Sequence, residues 1–258
     1  MQQPISTRGT IPFFYDKSEA EFQADPYERF DPMVVRQSAL HLADEIWGHY
    51  PMQAVLDFGK AYISLTPQAK VVELGCGVGR WIATLAQAWP QAQCWGLDYS
   101  YQMLRRAYEF WVEGATVHLD LRAKGLPERR SFVGRSLSNL SFGLVEASQL
   151  PFADNSQDLV LSSFLLDRLP NPKRGLAEMS RVLKPGGHII LITPLNFSKA
   201  EHWEQFYPPV KIALLLKDFH LQILEWQESI EIIEPLDAHG NGVHWKALGM
   251  ILEKQEGL

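Results

Sequence analysis

From residue 70 onward the chain alternates short β-branched apolar runs with amphipathic stretches, and this alternation constrains the fold more than any other feature. "KVVEL" (70–74), "QCWGLD" (93–98), "SFGLVEA" (141–147), "DLVLSSF" (158–164) and "GHIILITPL" (187–195) read as strands. "RWIATLAQAW" (80–89), "SYQMLRRAYEFW" (100–111) and "PKRGLAEMSRVL" (172–183) read as helices, the second with Ser100 as its N-cap. Strands separated by helices of this length pair in parallel, because each helix returns the chain to the same edge. The expected result is a doubly wound α/β sheet. The last stretch differs. "LQILEWQESIEII" (221–233) and "GVHWKALGMILEK" (242–254) flank the turn "DAHGNG", a hairpin that sets an antiparallel edge on the parallel sheet.

Ahead of the alternating part, residues 1–12 show no periodicity and predict loose turns. In "MVVRQSALHLADEIW" (33–47) Val34, Val35, Ala39, Leu42 and Ile46 share a helical face, and a second helix is expected from Pro51 through "MQAVLDFGKAYISL". The chain thus divides into a helical N-terminal segment, 1–66, and an α/β domain, 67–258. The piece at 112–140 exceeds the dozen or so residues a crossover needs. It either shapes a substrate pocket or is a surface excursion or homodimer contact. Apolar residues make up 46% of the 258, enough for a large core. The apolar stretch "IALLLKDFHLQIL" is broken by Lys217, Asp218 and His220, so no membrane span is expected, and "MQQPISTRGT" lacks an apolar signal core. Cys76 and Cys94 are the two cysteines and form no metal-like pair, which implies a reducing, cytoplasmic setting and no metal. A net charge of −6 weighs against nucleic acid as a partner.

"VVELGCGVGRW" (71–81) places Gly75, Gly77 and Gly79 just after the first strand, where open α/β sheets bind ligands. Its occupant could be a dinucleotide, a phosphate, a sulfonium nucleoside or nothing but a turn. A dinucleotide loop needs its third glycine where Arg80 stands, and a phosphate loop needs Gly-Lys-Ser/Thr, which is absent. Asp98 closes the second strand 23 residues after Gly75. Its carboxylate can accept both ribose hydroxyls of an unphosphorylated nucleoside, or merely complement the next helix's N-terminus. Tyr99 and Met103 follow where they can flank sugar and base, or pack the helix.

"VVELGCGVGR", "GLDYSYQML", "VEASQLPFADNSQDLVLSSFLL" and "EMSRVLKPGGHIILITP" occur in order, and together they resemble the class I S-adenosylmethionine-dependent methyltransferases, specifically their small-molecule, type 11-like members. The resemblance covers roughly 68–196. It implies a Rossmann-like seven-stranded sheet of order 3-2-1-4-5-7-6 with strand seven antiparallel, under an N-terminal helical lid. It implies S-adenosylmethionine as cofactor, with S-adenosylhomocysteine as product. By the same resemblance Glu73, Gly75, Cys76, Gly77 and Gly79 hold the methionine portion and Asp98 the ribose. Glu146 and Ala147 meet the adenine edge, and Ser162 and Ser163 face the sulfonium. "LKPGG" is a structural turn. Tyr15, in "PFFYDKSEAEF", resembles the tyrosine of the family's lid and would close over the cofactor. Glu146 stands where the family has aspartate, and Asp167 where many small-molecule members carry histidine.

Methyl transfer from a sulfonium requires chiefly alignment and exclusion of water; a base is needed only where the acceptor must lose a proton. The candidate bases are Asp167, His202 and His244. No Asn/Asp-Pro-Pro-Tyr/Phe stretch follows strand four and no cysteine is placed to attack a pyrimidine, which favours a small-molecule acceptor over RNA or DNA. The competing readings are a cofactor-binding partner subunit without turnover, methylation of a protein or RNA, and a nicotinamide-dependent oxidoreductase.

Overall fold

The computed structural model describes residues 1–256 except 30, 47 and 123–127; Trp47 of the expected first helix and the middle of the insertion therefore lie outside the described residues. The N-terminal stretch is more ordered than its lack of periodicity predicts. β1 (Ser6–Arg8) and β2 (Ile11–Phe13) form a small hairpin, and Phe13 of β2 pairs in parallel with Leu144 of the main sheet. A three-residue strand gives periodicity nothing to act on; it forms here because Ile11 and Phe13 bury against an existing sheet edge.

Three helices follow: α1 (Glu19–Ala24), α2 (Pro26–Arg29) and α3 (Asp31–Leu42). Ser18 and Glu21 form a reciprocal capping box at the start of α1. The helix expected after Pro51 is cut short. α4 spans only Gln53–Asp57, and Gly59, at φ 76°, turns the chain into the single 3₁₀ turn Lys60–Tyr62. A Cβ on Gly59 would lie 2.7 Å from Ile251 and 3.0 Å from Ile190, so the chain bends where only glycine fits against the sheet.

The α/β unit then runs β3 (Lys70–Leu74), α5 (Arg80–Ala88), β4 (Gln93–Asp98), α6 (Tyr101–Trp111), β5 (Val117–Asp120), β6 (Arg129–Phe132), β7 (Leu140–Leu144), β8 (Gln157–Ser163), α7 (Pro172–Val182) and β9 (Leu183–Thr193). It closes with α8 (Ala200–Phe206), α9 (Val210–Lys217), β10 (Leu221–Pro235) and β11 (Gly242–Lys254). Among the described residues nine strands form one sheet, in the order β1-β2-β7-β4-β3-β8-β9-β11-β10. Its seven strands from β7 to β10 stand in the expected order, with β11 antiparallel to β9. "LKPGG" opens β9 instead of preceding it. The pairing slips between Gln157↔Leu183 and Leu159↔His188, and Gly186 takes φ 72° at that irregularity.

Side-chain alternation splits the core in two. Val71, Leu159, Leu161, Ile190 and Ile192 pack with α5, α6 and the N-terminal segment; Val72, Leu74, Val160, Ile189 and Leu191 pack with α7 and α9. The insertion forms a separate two-stranded hairpin, β5 with β6. It leans on the outer side of the N-terminal segment, where Phe132 packs against Leu40, Ala43 and Ile46 and Arg130 donates to the Glu45 carbonyl.

Candidate active site

The parallel strands β3, β4, β7 and β8 end together, and a cavity of about 840 Å³ opens at their carboxyl ends, within the size range of ligand sites. Tyr15, Glu73, Gly75, Cys76, Gly77, Asp98, Tyr99, Met103, Glu146, Ala147 and Ser163 all line it. Gly75 and Gly77 take φ values of 68° and 54°, and a Cβ on Gly77 would project into space bounded by Met103 at 3.6 Å. The loop is clasped from both sides. Gly77 N donates to Asp98 Oδ2 at 2.8 Å, while the Trp111 indole N–H donates to the Val78 carbonyl at 2.8 Å.

Gly79 does not line the cavity. It turns at φ 78° into α5, and a Cβ there would lie 2.8 Å from two ring atoms of buried Phe142. It is the glycine of close helix–strand packing, one position earlier than in a dinucleotide loop. Gly79→Ala is expected to destabilise the fold by at least about 2 kcal/mol, from left-handed strain and overpacking together. Gly77→Ala should spare stability by comparison and reduce ligand binding. Paired thermal unfolding and titration check both.

The floor of the cavity is acidic. Glu73 is 3% exposed and accepts from Ile82 N at 2.9 Å; burial pushes its pKa up to about 8, against the pull of that hydrogen bond. Burial also raises the pKa of Asp98, opposed by the N–H groups of Ser100 and Gly77. Neither carboxylate forms an ion pair among the described residues. Glu146 is turned onto Ser148, accepting from its N–H at 3.1 Å and from its hydroxyl.

Four expected site residues lie elsewhere. Ser162 is fully buried and points to the α7 face, because neighbours on a strand face opposite ways; Ser163 therefore lines the cavity and Ser162 does not. Asp167 is 2% exposed and accepts from the Thr193 hydroxyl at 3.1 Å, leaving its neighbour Arg168 to line the cavity. His202 is buried on α8 between Phe197 and Phe206, with ring centroids 5.9 and 6.3 Å away. His244 is exposed on β11, while Trp245 beside it reaches the cavity. None of the three candidate bases faces the ligand space. Of the readings open for the insertion, its described residues do not support the pocket wall: none of them lines the cavity.

The wall facing the glycine loop comes from the N-terminal segment expected to be the lid and from the end of the terminal hairpin, although no motif marks its individual residues. The N-terminal segment supplies Tyr27, Gln37, Leu40, His41, Tyr50 and Val55, and the far end of the β10–β11 hairpin supplies Glu234 and Trp245. Burial lowers the His41 pKa to about 4, helped by the positive charge of Arg80. Its Nδ1 lies 2.9 Å from the Tyr50 hydroxyl.

A buried lysine fastens this segment to the sheet. Lys17 Nζ lies 2.7 Å from Asp25 and 3.4 Å from Glu28, donates to the Tyr99 carbonyl at 3.0 Å, and sits 4.0 Å from the Tyr99 ring centre. Glu28 in turn accepts from Tyr101 N, and Glu21 Oε1 accepts from the hydroxyls of Tyr15 and Tyr99 at 2.5 and 2.8 Å. Lys17→Met would strand two mostly buried carboxylates, a change that commonly costs about 3–5 kcal/mol. The expected outcome is local release of residues 13–29, seen as faster amide exchange there with the strands unchanged.

Residues 72–191 match the family described as a methyltransferase domain. Over 143 residues the chain is 35% identical to trans-aconitate 2-methyltransferase of Deinococcus radiodurans, covering 55% of this chain and 45% of that one. It is 30% identical over 148 residues to the ubiquinone/menaquinone biosynthesis C-methyltransferase UbiE of Desulfotalea psychrophila, covering 57% and 50%. The matches thus span about half the length of these curated relatives. Among solved structures, a chain of the complex between the Haloferax volcanii Trm112 methyltransferase activator and a methyltransferase superposes with a TM-score of 0.61 at 20% identity. That superposition covers 91% of this chain and 99% of the other, and it shows a shared fold. Residues 72–191 of the chain thus match a methyltransferase domain, in line with the resemblance of its motifs to the class I S-adenosylmethionine-dependent methyltransferases.

Proposed function

We propose that this protein is a methyltransferase acting on a small molecule. The observation that carries the reading is the recessed cavity at the carboxyl ends of the strands. One side is the glycine loop and its acidic floor; the other is a wall of aromatic, apolar and a few polar side chains, a composition suited to a small organic acceptor and too confined for a folded macromolecule.

S-adenosylmethionine, the family's cofactor, fits the residues present. Its cationic end suits a floor where Glu73 and Asp98 are buried without a cation, and the left-handed turn at Gly77 keeps a Cβ atom out of its path, while that at Gly75 makes room for Leu165. When bound it supplies an electrophilic methyl group on a good leaving group. Asp98 would then accept from the ribose hydroxyls, Glu146 and Ala147 would border the base, and Tyr15 and Tyr99 would cover it. Segment 13–65 acts as the lid that keeps water out, and the hairpin end at Glu234 and Trp245 positions the acceptor. The departure at residue 167 gives no support to a subunit without turnover, because Asp167 faces Thr193 and not the ligand space.

Calorimetric titration with S-adenosylhomocysteine and NADH, followed by incubation of a whole-cell extract with methyl-labelled S-adenosylmethionine, tests the reading. Micromolar binding of the first ligand, roughly −8 kcal/mol, and a labelled low-molecular-weight product are expected. Binding of NADH alone, or label found only in protein or RNA, would overturn it.

A further inference from the structure

We propose that Arg80, with His41 and Tyr50, forms the acceptor's recognition subsite, and that the acceptor is a carboxylate converted to its methyl ester. This rests on the methyltransferase reading above. Arg80 is the first residue of α5, directly beyond the glycine loop, and lines the cavity with His41 and Tyr50. Its guanidinium lies 4.8 Å from the Tyr50 ring centre and 6.0 Å from that of Trp111, an aromatic bracket that fixes the planar group.

The charge of Arg80 is only partly met by the protein. Nη1 donates to Asp44 at 3.0 Å, but the Asp44 side chain is 72% exposed and its attraction is screened. Nη1 also lies 3.5 Å from the Ala43 carbonyl, and Nε is buried with no hydrogen-bond partner among the described residues. A fixed fork with donors to spare, beside an apolar wall of Leu40, Met52 and Val55, suits a carboxylate on an apolar body. The cofactor brings one carboxylate of its own, and Arg168, which also lines the cavity and whose ion pair with Asp167 is a loose 3.7 Å, would take it.

The placement of the bases expected from the sequence agrees. Asp167, His202 and His244 all face elsewhere, and His41 is held neutral as a weak base by burial and by Arg80. A carboxylate has no proton to lose. The new bond joins a carboxylate oxygen to the methyl carbon, the sulfur–carbon bond breaks with its electron pair staying on sulfur, and no proton moves. An alcohol, phenol or amine acceptor would need a base, and Glu234, the carboxylate of this wall, is already engaged by Arg36 at 2.8 Å and by the Trp245 indole N–H at 3.1 Å.

Two measurements test the proposal. Protein saturated with S-adenosylhomocysteine is titrated with phenylacetate, indole-3-acetate and octanoate, each against its primary amide. An acid is expected to bind at least about tenfold more tightly than its amide. Arg80→Gln should abolish that preference while S-adenosylhomocysteine affinity stays within about threefold, which also shows the variant is folded. In parallel, label transferred to an extract should be released as methanol by alkali, the signature of a methyl ester. Alkali-stable label, no acid–amide preference, or loss of S-adenosylhomocysteine affinity in Arg80→Gln with 5′-methylthioadenosine binding unchanged would each overturn the proposal. The last result would assign Arg80 to the cofactor's own carboxylate. Failure of the wild type to bind S-adenosylhomocysteine would instead sink the methyltransferase reading itself.

Discussion

Asp98→Asn is expected to weaken S-adenosylmethionine binding by about 1.5–3 kcal/mol, roughly ten- to more than a hundredfold, while the protein stays folded. Asp98 has two duties that a single substitution confuses. Its oxygens accept from Gly77 N at 2.8 Å and Ser100 N at 2.9 Å, so it clasps the glycine loop to the start of α6. In the proposed complex the same carboxylate accepts from the ribose. Alanine would remove both roles and leave two N–H groups unpaired, at about 1–3 kcal/mol each where water cannot reach them. Asparagine keeps the shape and one acceptor oxygen but turns the other into a donor and loses the charge. If Asp98→Ala lowers the melting temperature while Asp98→Asn binds the cofactor like wild type, the residue is a loop clasp and no more.

Glu73→Gln should do the opposite to stability. Burial raises the Glu73 pKa from 4.5 to about 8, so in the unliganded protein the folded state holds a proton that the unfolded chain releases. The stability this contributes is fully present below pH 4.5 and is lost as pH rises through about 8. Glutamine keeps the hydrogen bond from Ile82 N and cannot ionise. The variant is therefore expected to match wild type near pH 4.5 and to exceed it increasingly toward pH 9, by on the order of 1–4 kcal/mol. Its affinity for the cationic cofactor should fall and lose the rise with pH that ionisation of Glu73 gives the wild type. Thermal unfolding from pH 4.5 to 9, with and without S-adenosylmethionine, measures both. Equal destabilisation at every pH would mean that Glu73 serves only as the acceptor for Ile82 N. That pair of outcomes would mark Glu73 as a place where stability has been given up for a binding charge.

The five parallel strands between 70 and 195 and the terminal hairpin were legible, though not the short strands β5 and β6, because a two-residue alternation and a 3.6-residue period are local properties, visible whatever the rest of the chain does. The same holds for the ligand end of the sheet. A strand, three glycines and an acid at the end of the next strand announce it, and Glu73, Gly75, Gly77, Asp98, Tyr99 and Glu146 do converge there. What sequence spacing could not decide was orientation and partnership. Ser162 and Ser163 differ by one residue and point to opposite faces of β8; Asp167 turns inward to Thr193 while Arg168 turns to the cavity. Gly79 looked like part of the cradle and proved to make room for Phe142, a residue 63 positions later. The N-terminal segment was expected as a lid, but which side chains form the wall opposite the glycine loop was not legible, for the same reason. His41, Tyr50, Glu234 and Trp245 come from segments far apart in the chain, and only their packing across the carboxyl edge of the sheet makes them neighbours. Sequence alone determined the sheet and the kind of ligand end it presents, because periodicity and backbone sterics act locally. The tertiary structure decided which side chains share the cavity, because that depends on contacts between residues that no local pattern connects.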